Sequence, residues 1–407
     1  MNSFKIKKSH NSSIHLLIAV VGIIFASMSI AQGTAESINQ YLEEIDLVEA
    51  NEGSYSSQLS DLLMSLGNSY QANSDFENAN LVYQRGMQIE KINYGLFSLS
   101  QTPYLRAIAE SHRAMNDWEQ SQKAIDQYYL VNEKVYGQRD VRMLPVIESL
   151  INWHTESYNM RDPRDSFPNL TSLEILARKL HVILDESADL GDPSTPKKYR
   201  QIGRIQYMLA RHIKDYGLPQ EGGMSITTDR YATERNSPIS SHNYYSRGSA
   251  ALQKVVKATM EQSPSVMMDQ IEAVANLGDW YLIFGQVGSA TKAYSLADEL
   301  ISVSSEPELI RNNIFGMGKI INFDEPSKDG FLNDDRDFNL IEVSMTISRS
   351  GSALDIEIDK EKNDLTDDDE RVLRKYFKKR RFRPSFSDGK TRSMQLILPY
   401  YLPKVEA

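Results

Sequence analysis

The clearest hydrophobic pattern in the chain runs from Leu63 to Gly86. Apolar and small residues recur there at helical spacing on both sides of the polar triplet 73–75, which predicts two helices joined by a tight turn. The first predicted helix carries Leu63, Leu66, Gly67 and Tyr70, and the second carries Ala79, Tyr83 and Gly86. Small residues let the two backbones approach closely. Because one pair cannot bury its apolar face alone, the pattern predicts a solenoid of stacked helix pairs.

The same pattern returns further along the chain. Glu90 and Glu133 close the first two predicted pairs and lie 43 residues apart. A third pair is predicted from Leu144 to Leu184, and a fourth on either side of a polar insert, 217–241, which is expected to be flexible. The last pair repeats the first position by position, through Val274, Leu277, Gly278, Tyr281, Ala290, Tyr294 and Ala297. Five or six pairs are therefore predicted.

Over residues 60–305 this pattern resembles the tetratricopeptide repeat (TPR), in which a bulky residue, Leu-Gly and Tyr precede Ala, an aromatic and a small residue. The period is longer than the roughly 34 residues usual for that family and is similar to the longer repeats of kinesin light chains. The resemblance implies a mainly α-helical protein that binds other proteins. Candidate residues for the concave side, which would favour a polar or basic peptide, are Asn68, Gln71, Glu272 and Asp279.

Beyond a connector at 306–337 the pattern changes from helical to alternating. Apolar residues at every second position from Ile341 to Ile347 predict a half-buried strand. A turn at Ser350-Gly351, a second strand, a helix opened by Thr366 and a final strand are predicted to follow. The second strand would bury Leu354, Ile356 and Ile358, and the final strand would span Thr391–Leu402. The order strand, strand, helix, strand predicts a small α+β domain at 338–407.

Residues 381–390 carry the most specific motif of this domain. Arg381-Phe382-Arg383-Pro384 is followed by Asp388-Gly389-Lys390, which resembles the C-terminal domain of the TonB family, although that family's preceding tryptophan and long proline-rich segment are absent. The family's domain binds an extended segment of an outer-membrane receptor by adding a strand to a sheet edge. The resemblance implies such an edge at Thr391–Leu398. The candidate partner-binding residues are Arg380, Arg381, Arg383, Arg392, Met394, Leu396 and Leu398.

The N-terminus has the pattern of an export signal. Lys5, Lys7 and Lys8 precede an uncharged apolar run at 16–26, and the small residues of Ser29-Ile30-Ala31 suit a signal peptidase. This predicts a signal peptide at 1–31, a mature chain without an integral membrane segment, and an entry segment at 32–59. The alternative is an uncleaved anchor helix at 14–31, since a membrane span needs about 20 apolar residues.

Composition narrows the function further. The formal net charge of -10 argues against nucleic acid as a partner, because phosphates repel an acidic surface. The chain has no cysteine, and its seven histidines show no paired metal-ligand spacing. We find no catalytic, cofactor-binding or metal-binding motif, so a non-enzymatic protein without cofactors is expected.

The basic run at 378–383 leaves two interpretations open. It is either a solvated helix end or a site for anionic lipid, glycan or the carboxylates of peptidoglycan, which would give a transient association with the outer membrane or peptidoglycan. Together these patterns predict a periplasmic scaffold that holds protein or peptide partners in a Gram-negative cell envelope. The alternative is a TonB-like transducer anchored in the inner membrane.

Overall fold

The computed structural model describes residues 37–187, 191–217, 243–262, 266–323, 338–359 and 365–403. These residues form a series of α-helices followed by a small antiparallel sheet. The predicted signal peptide, residues 218–241 of the polar insert and the acidic end of the connector at 330–337 lie outside the described residues. None of the described helices is both long and apolar enough to cross a membrane.

The helices follow the predicted order. A first helix, α1, covers residues 37–52, within the predicted entry segment. The helices after it are α2 Leu59–Ala72, α3 Phe76–Tyr94, α4 Thr102–Ala114, α5 Trp118–Tyr136, α6 Leu144–Met160, α7 Phe167–Ser187, α8 Thr195–Tyr216, α9 Asn243–Glu261, α10 Met267–Ile283, α11 Val287–Ser302 and α12 Pro307–Arg311. Helices α2 to α11 correspond to five of the predicted pairs. The chain divides into two compact units, Met1–Val146 and Ile147–Ala407, which are described in turn.

In the first unit the turns within the two helix pairs have the same geometry. The amide of Asp75 donates to the carbonyl of Tyr70 at 2.9 Å, and the amide of Asp117 donates to that of His112 at 2.8 Å. The residue before each aspartate has a left-handed φ, +59° and +58°. Each aspartate side chain then accepts from the amide three residues on and caps the second helix. The two pairs are therefore structural repeats of one another.

Contacts between glycines and tyrosine rings hold the helices together. A Cβ atom on Gly67 would fall well inside van der Waals contact with the ring of Tyr83, which α3 brings against α2. Gly86 of α3 receives the ring of Tyr104 of α4 in the same way and joins one pair to the next. Both rings are buried. The small residues of the sequence pattern are thus the places where a large side chain crosses to a neighbouring helix.

The last helix pair of the second unit is α10 and α11. The turn is the one seen in the first unit: the amide of Gln286 donates to the carbonyl of Tyr281 at 2.8 Å, and Gly285 before it has a φ of +73°. Gly278 receives the ring of Tyr294, as Gly67 receives that of Tyr83. A π-helical turn, Asn312–Gly316, follows α12.

The sheet comes after the connector. Its elements are β1 Phe338–Ile347, β2 Ala353–Ile358, α13 Asp367–Lys379, β3 Ser385–Ser387, β4 Lys390–Arg392 and β5 Met394–Pro403. Strands β2, β1 and β5 form one antiparallel sheet in that order, and β3 and β4 form a separate hairpin. Helix α13 starts with a capping box between Thr366 and Asp369. It packs Leu373 and Phe377 on the face of the sheet that carries Ile341 and Val343.

Two expectations for the sheet are wrong in detail. Thr391 was expected to open the final strand, but it lies in β4 opposite Phe386, so the order includes an additional short hairpin. Leu354 was expected to be buried and is 49% exposed, whereas Ala353 is buried. The register between β1 and β2 shifts there, and Asp355 has a φ of +47°. This bulge reverses the alternation, because one extra residue turns every preceding side chain to the other face.

The glycine-to-tyrosine contact in the last pair gives a stability prediction. Gly278→Ala should lower the free energy of unfolding by about 1–3 kcal/mol, since the added methyl group must displace the ring of Tyr294. Gly288→Ala in the first turn of α11 is the matched control, because nothing lies within 4 Å of its Cβ position. Urea denaturation should show the control unchanged or slightly stabilised. Equal losses in both variants would contradict the packing argument.

Candidate binding site: an edge strand and its anchor

A deeply buried ion pair of the second unit joins the segment after α13 to the last helix pair. Arg383, just after α13, and Asp279 of α10 are each only 3% exposed. The guanidinium donates from Nε to Oδ1 of Asp279 at 2.9 Å and from Nη2 to Oδ2 at 2.6 Å. It also donates to the side-chain oxygen of Asn276 at 3.0 Å and to the carbonyl of Ile314 at 3.2 Å. Two charged groups are thus buried with their hydrogen-bonding atoms in use.

Tyr294 adds a hydrogen bond to this ion pair. Its hydroxyl donates to Oδ1 of Asp279 at 2.8 Å, and burial together with that carboxylate raises the tyrosine's pKa well above its usual value. Burial alone would lower the pKa of Arg383, but the charge of Asp279 raises it overall, so the guanidinium stays charged. Phe386 packs near Tyr294 and Phe315, with ring centroids 6.1 and 5.4 Å away. Tyr294, whose ring packs on Gly278, therefore orients the carboxylate of Asp279 that binds Arg383.

The backbone of residues 381–383 is hydrogen-bonded on both sides. The amide of Arg383 donates to Lys319 at 2.8 Å, and the amide of Ile321 donates to Arg381 at 2.8 Å. On the other side Phe382 donates to the carbonyl of Gly351 at 2.9 Å. Gly351 has a φ of +74°, and a Cβ there would collide with the carbonyl of Phe382. Residues 381–383 therefore fix the β1–β2 turn to the end of the helical part.

The structure corrects two of the predicted partner-binding residues. Asp279 was expected on an accessible concave surface and Arg383 on a peptide-binding surface, yet each is buried against the other. The structure also places the side chains of two of the other three predicted arginines. Arg381 is half-buried, and Arg392 bonds to Ser387 and Asp388 within the β3–β4 hairpin, at 2.6 Å each.

The remaining candidates of the repeats lie at or near the surface. Asn68 and Glu272 are exposed and Gln71 is half-buried. In the first unit the side-chain oxygens of Asn68 and Gln71 both accept from the hydroxyl of Tyr83 at 2.8 Å. Burial raises the pKa of Tyr83 to about 12, so this hydroxyl keeps its proton at neutral pH. The two amides therefore orient a core tyrosine as well as facing solvent.

The two edges of the sheet differ in chemistry. Strand β5 pairs with β1 along its whole length, and no strand among the described residues pairs with its other side. It has ten residues and not one charged side chain. The opposite edge, β2, is shorter and contains Asp355, Glu357 and the bulge, and Arg374 of α13 donates to the carbonyl of Ile356. Charges, bulges and covering side chains block strand pairing, so β5 is the edge left open to it.

Side chains of β5 alternate between the core and solvent. Leu396 is buried, and Met394, Leu398 and Tyr400 pack against the same core. The predicted binding residues Met394, Leu396 and Leu398 therefore face the core of the small domain and not a partner. Gln395 and Ile397 face solvent, and Ile397 is 66% exposed. Pro399 has no amide hydrogen and is compatible with an edge strand only where its nitrogen points away from the sheet. The amides of Gln395 and Ile397, four and two residues before it, should then also point outward.

Arg380 lies beside this edge. Its guanidinium carbon sits 4.4 Å from the ring centroid of Tyr376, and that ring is 5.5 Å from the ring of Tyr400 on β5. Burial raises the pKa of Tyr400, while the charge of Arg380 acts in the opposite direction. Sequence reasoning did not single out the two tyrosines. Their helix and strand periodicity indicates core positions, and only the folded chain brings them together.

Comparison with known proteins adds a distant likeness. No protein-family model matches this chain, and no curated protein matches it. Among solved structures, the chain is similar to a crystal structure of nearly identical TPR-like repeats from a candidate kinesin light chain of Podosopora anserina. The identity is 13%, the TM-score is 0.35, and the match covers 63% of this chain and 96% of that one. The repeated turns and glycine contacts described above define this chain as a helical-repeat protein that carries a small antiparallel sheet.

The anchor can be tested by removing one partner of the ion pair. Arg383→Ala should lower the free energy of unfolding by about 3–5 kcal/mol, because it leaves the carboxylate of Asp279 buried without its cation. Arg381→Ala, two residues away and only half-buried, should change it by about 0.5 kcal/mol or less. Chemical denaturation of both variants gives the comparison. A loss of similar size in the two would mean that Arg383 is not the anchor.

Proposed function

We propose that this protein is an exported, non-enzymatic scaffold that binds partner proteins through its helical repeats and adds an extended segment of a partner to the edge of β5. The single observation that carries the proposal is the contrast between the two sheet edges. β5 is long, uncharged and paired on one side only among the described residues, while β2 is short, bulged, charged and covered by Arg374.

An open edge strand offers backbone amides and carbonyls in a row, and a second chain can pair with them. Strand addition takes its affinity from these backbone bonds and its specificity from alternate side chains. Natural proteins usually protect such an edge, because it otherwise promotes aggregation. An unprotected edge beside a protected one in the same sheet therefore supports a role for β5 in recognition, as the resemblance to the TonB family also implies.

The anchor supports the same proposal. Because the ion pair of Arg383 and Asp279 and the backbone pairing around Gly351 fix the sheet to α10 and α11, the edge is held in one orientation before a partner arrives. Ordering a binding element in advance reduces the entropy lost on binding. The small domain and the last helix pair would then act as one receptor body.

The location rests on the N-terminal sequence. The basic start, the short apolar run and the small residues Ser29 and Ala31 favour export and cleavage before Gln32, which would place the scaffold in the periplasm. Retention of residues 14–31 as an anchor would instead favour a transducer of the TonB type in the inner membrane.

Site-specific photo-crosslinking tests strand addition. A benzoylphenylalanine residue replaces Ile397 on β5 or, as the matched control, Leu354 on β2, since both side chains are exposed. We expect an adduct from position 397 and none from 354 in the protein's own cells. The crosslinked partner segment, made as a peptide, should then slow hydrogen exchange at the amides of Gln395 and Ile397. Equal adducts at both positions, or no slowing in β5, would contradict strand addition.

Intact mass and cell fractionation test the location. We expect a chain that begins at Gln32 and is found in the soluble periplasmic fraction. A membrane-bound chain that keeps its N-terminal residues would contradict the periplasmic scaffold and favour the anchored transducer.

A further inference from the structure

The surface next to the open edge is positively charged, although the chain as a whole has a formal net charge of -10. Lys375, Lys378 and Lys379 at the end of α13 are exposed, and no carboxylate among the described residues pairs with them. The acidic residues of this helix are in its first turn. At about 1.5 Å rise per residue they are more than roughly 10 Å from Lys378 and Lys379, about one screening length at physiological salt. The end of α13 near β5 is thus locally cationic.

One cation of this surface is held in place at the edge itself. Arg380 stacks on Tyr376, and Tyr376 contacts Tyr400 of the edge strand. Arg380 is half-buried and makes no ion pair with any described residue. A stacked guanidinium has lost part of its side-chain freedom already and keeps its donors for another group. We name Tyr376, Arg380 and Tyr400 the Arg380 subsite.

A strand added to β5 would bring side chains to this subsite. Residues directly opposite on neighbouring strands have Cβ atoms about 4.5–5.5 Å apart, and every second one lies on the same face. On the core face, the neighbour of Tyr400 would therefore meet the tyrosine rings and the free donors of Arg380. A carboxylate satisfies these donors best, whereas a lysine there would be repelled.

We propose that the segment bound by β5 is acidic and that the Arg380 subsite binds an aspartate or glutamate of that segment. This inference rests on the proposed strand addition and specifies the chemistry of the partner. The neighbouring lysines would increase the rate of encounter with an acidic segment without contacting a defined residue. The sheet edge supplies affinity for an extended chain, and the subsite selects its charge.

Selection from a displayed library of random nine-residue peptides tests this inference on the whole mature chain. The selection is repeated with Arg380→Glu and, as the matched control with the same change in charge, with Lys390→Glu, an exposed residue of the β3–β4 hairpin. We expect acidic residues at one preferred position in peptides selected by the unaltered chain and by Lys390→Glu. Arg380→Glu should lose that preference or reverse it to lysine and arginine.

A double-mutant cycle on one selected peptide measures the contact directly. Replacing its acidic residue by the matching amide should weaken binding about fivefold to the unaltered chain and less than twofold to Arg380→Ala, with far-UV circular dichroism confirming that the variant is folded. Selected peptides without an acidic preference, or equal losses on both proteins, would overturn the subsite. Selected peptides that bind without slowing exchange at Gln395 and Ile397 would overturn strand addition itself.

Discussion

The bidentate ion pair between Arg383 and Asp279 is the interaction on which the arrangement of the second unit depends. Removing two charges from water costs several kcal/mol for each ion, and good geometry is needed to recover that cost. Here Asn276, Tyr294 and the carbonyl of Ile314 supply the additional hydrogen bonds. Such a pair tolerates few alternative positions, because a displaced arginine would leave a buried charge unsatisfied. Its contribution is therefore the unique placement of the sheet on the last helix pair.

This placement links the repeat pattern to the binding edge through a short series of contacts. Gly278 leaves space for Tyr294, whose hydroxyl orients Asp279, which in turn holds Arg383. The residues on either side of Arg383 pair with the connector and with the β1–β2 turn. Gly278 and Tyr294 of the last repeat therefore pack two helices and also position the ion pair of Asp279 and Arg383. At the same positions in the first unit, Gly67 and Tyr83 pack their own pair, and the hydroxyl of Tyr83 bonds to the amides of Asn68 and Gln71.

The two edges of the sheet differ in their ability to pair with another strand. A bulge, two acidic residues and the side chain of Arg374 make β2 a poor template for another strand. Strand β5 has no charge and no bulge, and in the part of the chain that the structure describes no side chain covers its free edge; α13 supports its inner face through Leu396 and the ring of Tyr400. A stable inner face and an open backbone edge are together what strand addition requires. In the proposed strand addition, the cation stacked beside that edge would give a preference among peptides that backbone pairing alone cannot give.

The sequence by itself determined the elements that depend on neighbours within about one turn of helix or one hairpin. The glycine and tyrosine spacing gave the helix pairs, the Thr366 cap gave α13, and alternation gave β1, because these signals are local. The tertiary structure decided which polar residues are internal: Asp279 and Arg383 look like surface residues but lie 104 positions apart and bury one another. It also decided the exposure of Leu354. A bulge or an ion pair between distant segments does not alter the hydrophobic periodicity of the sequence, because it depends on a contact that forms only when the chain has folded.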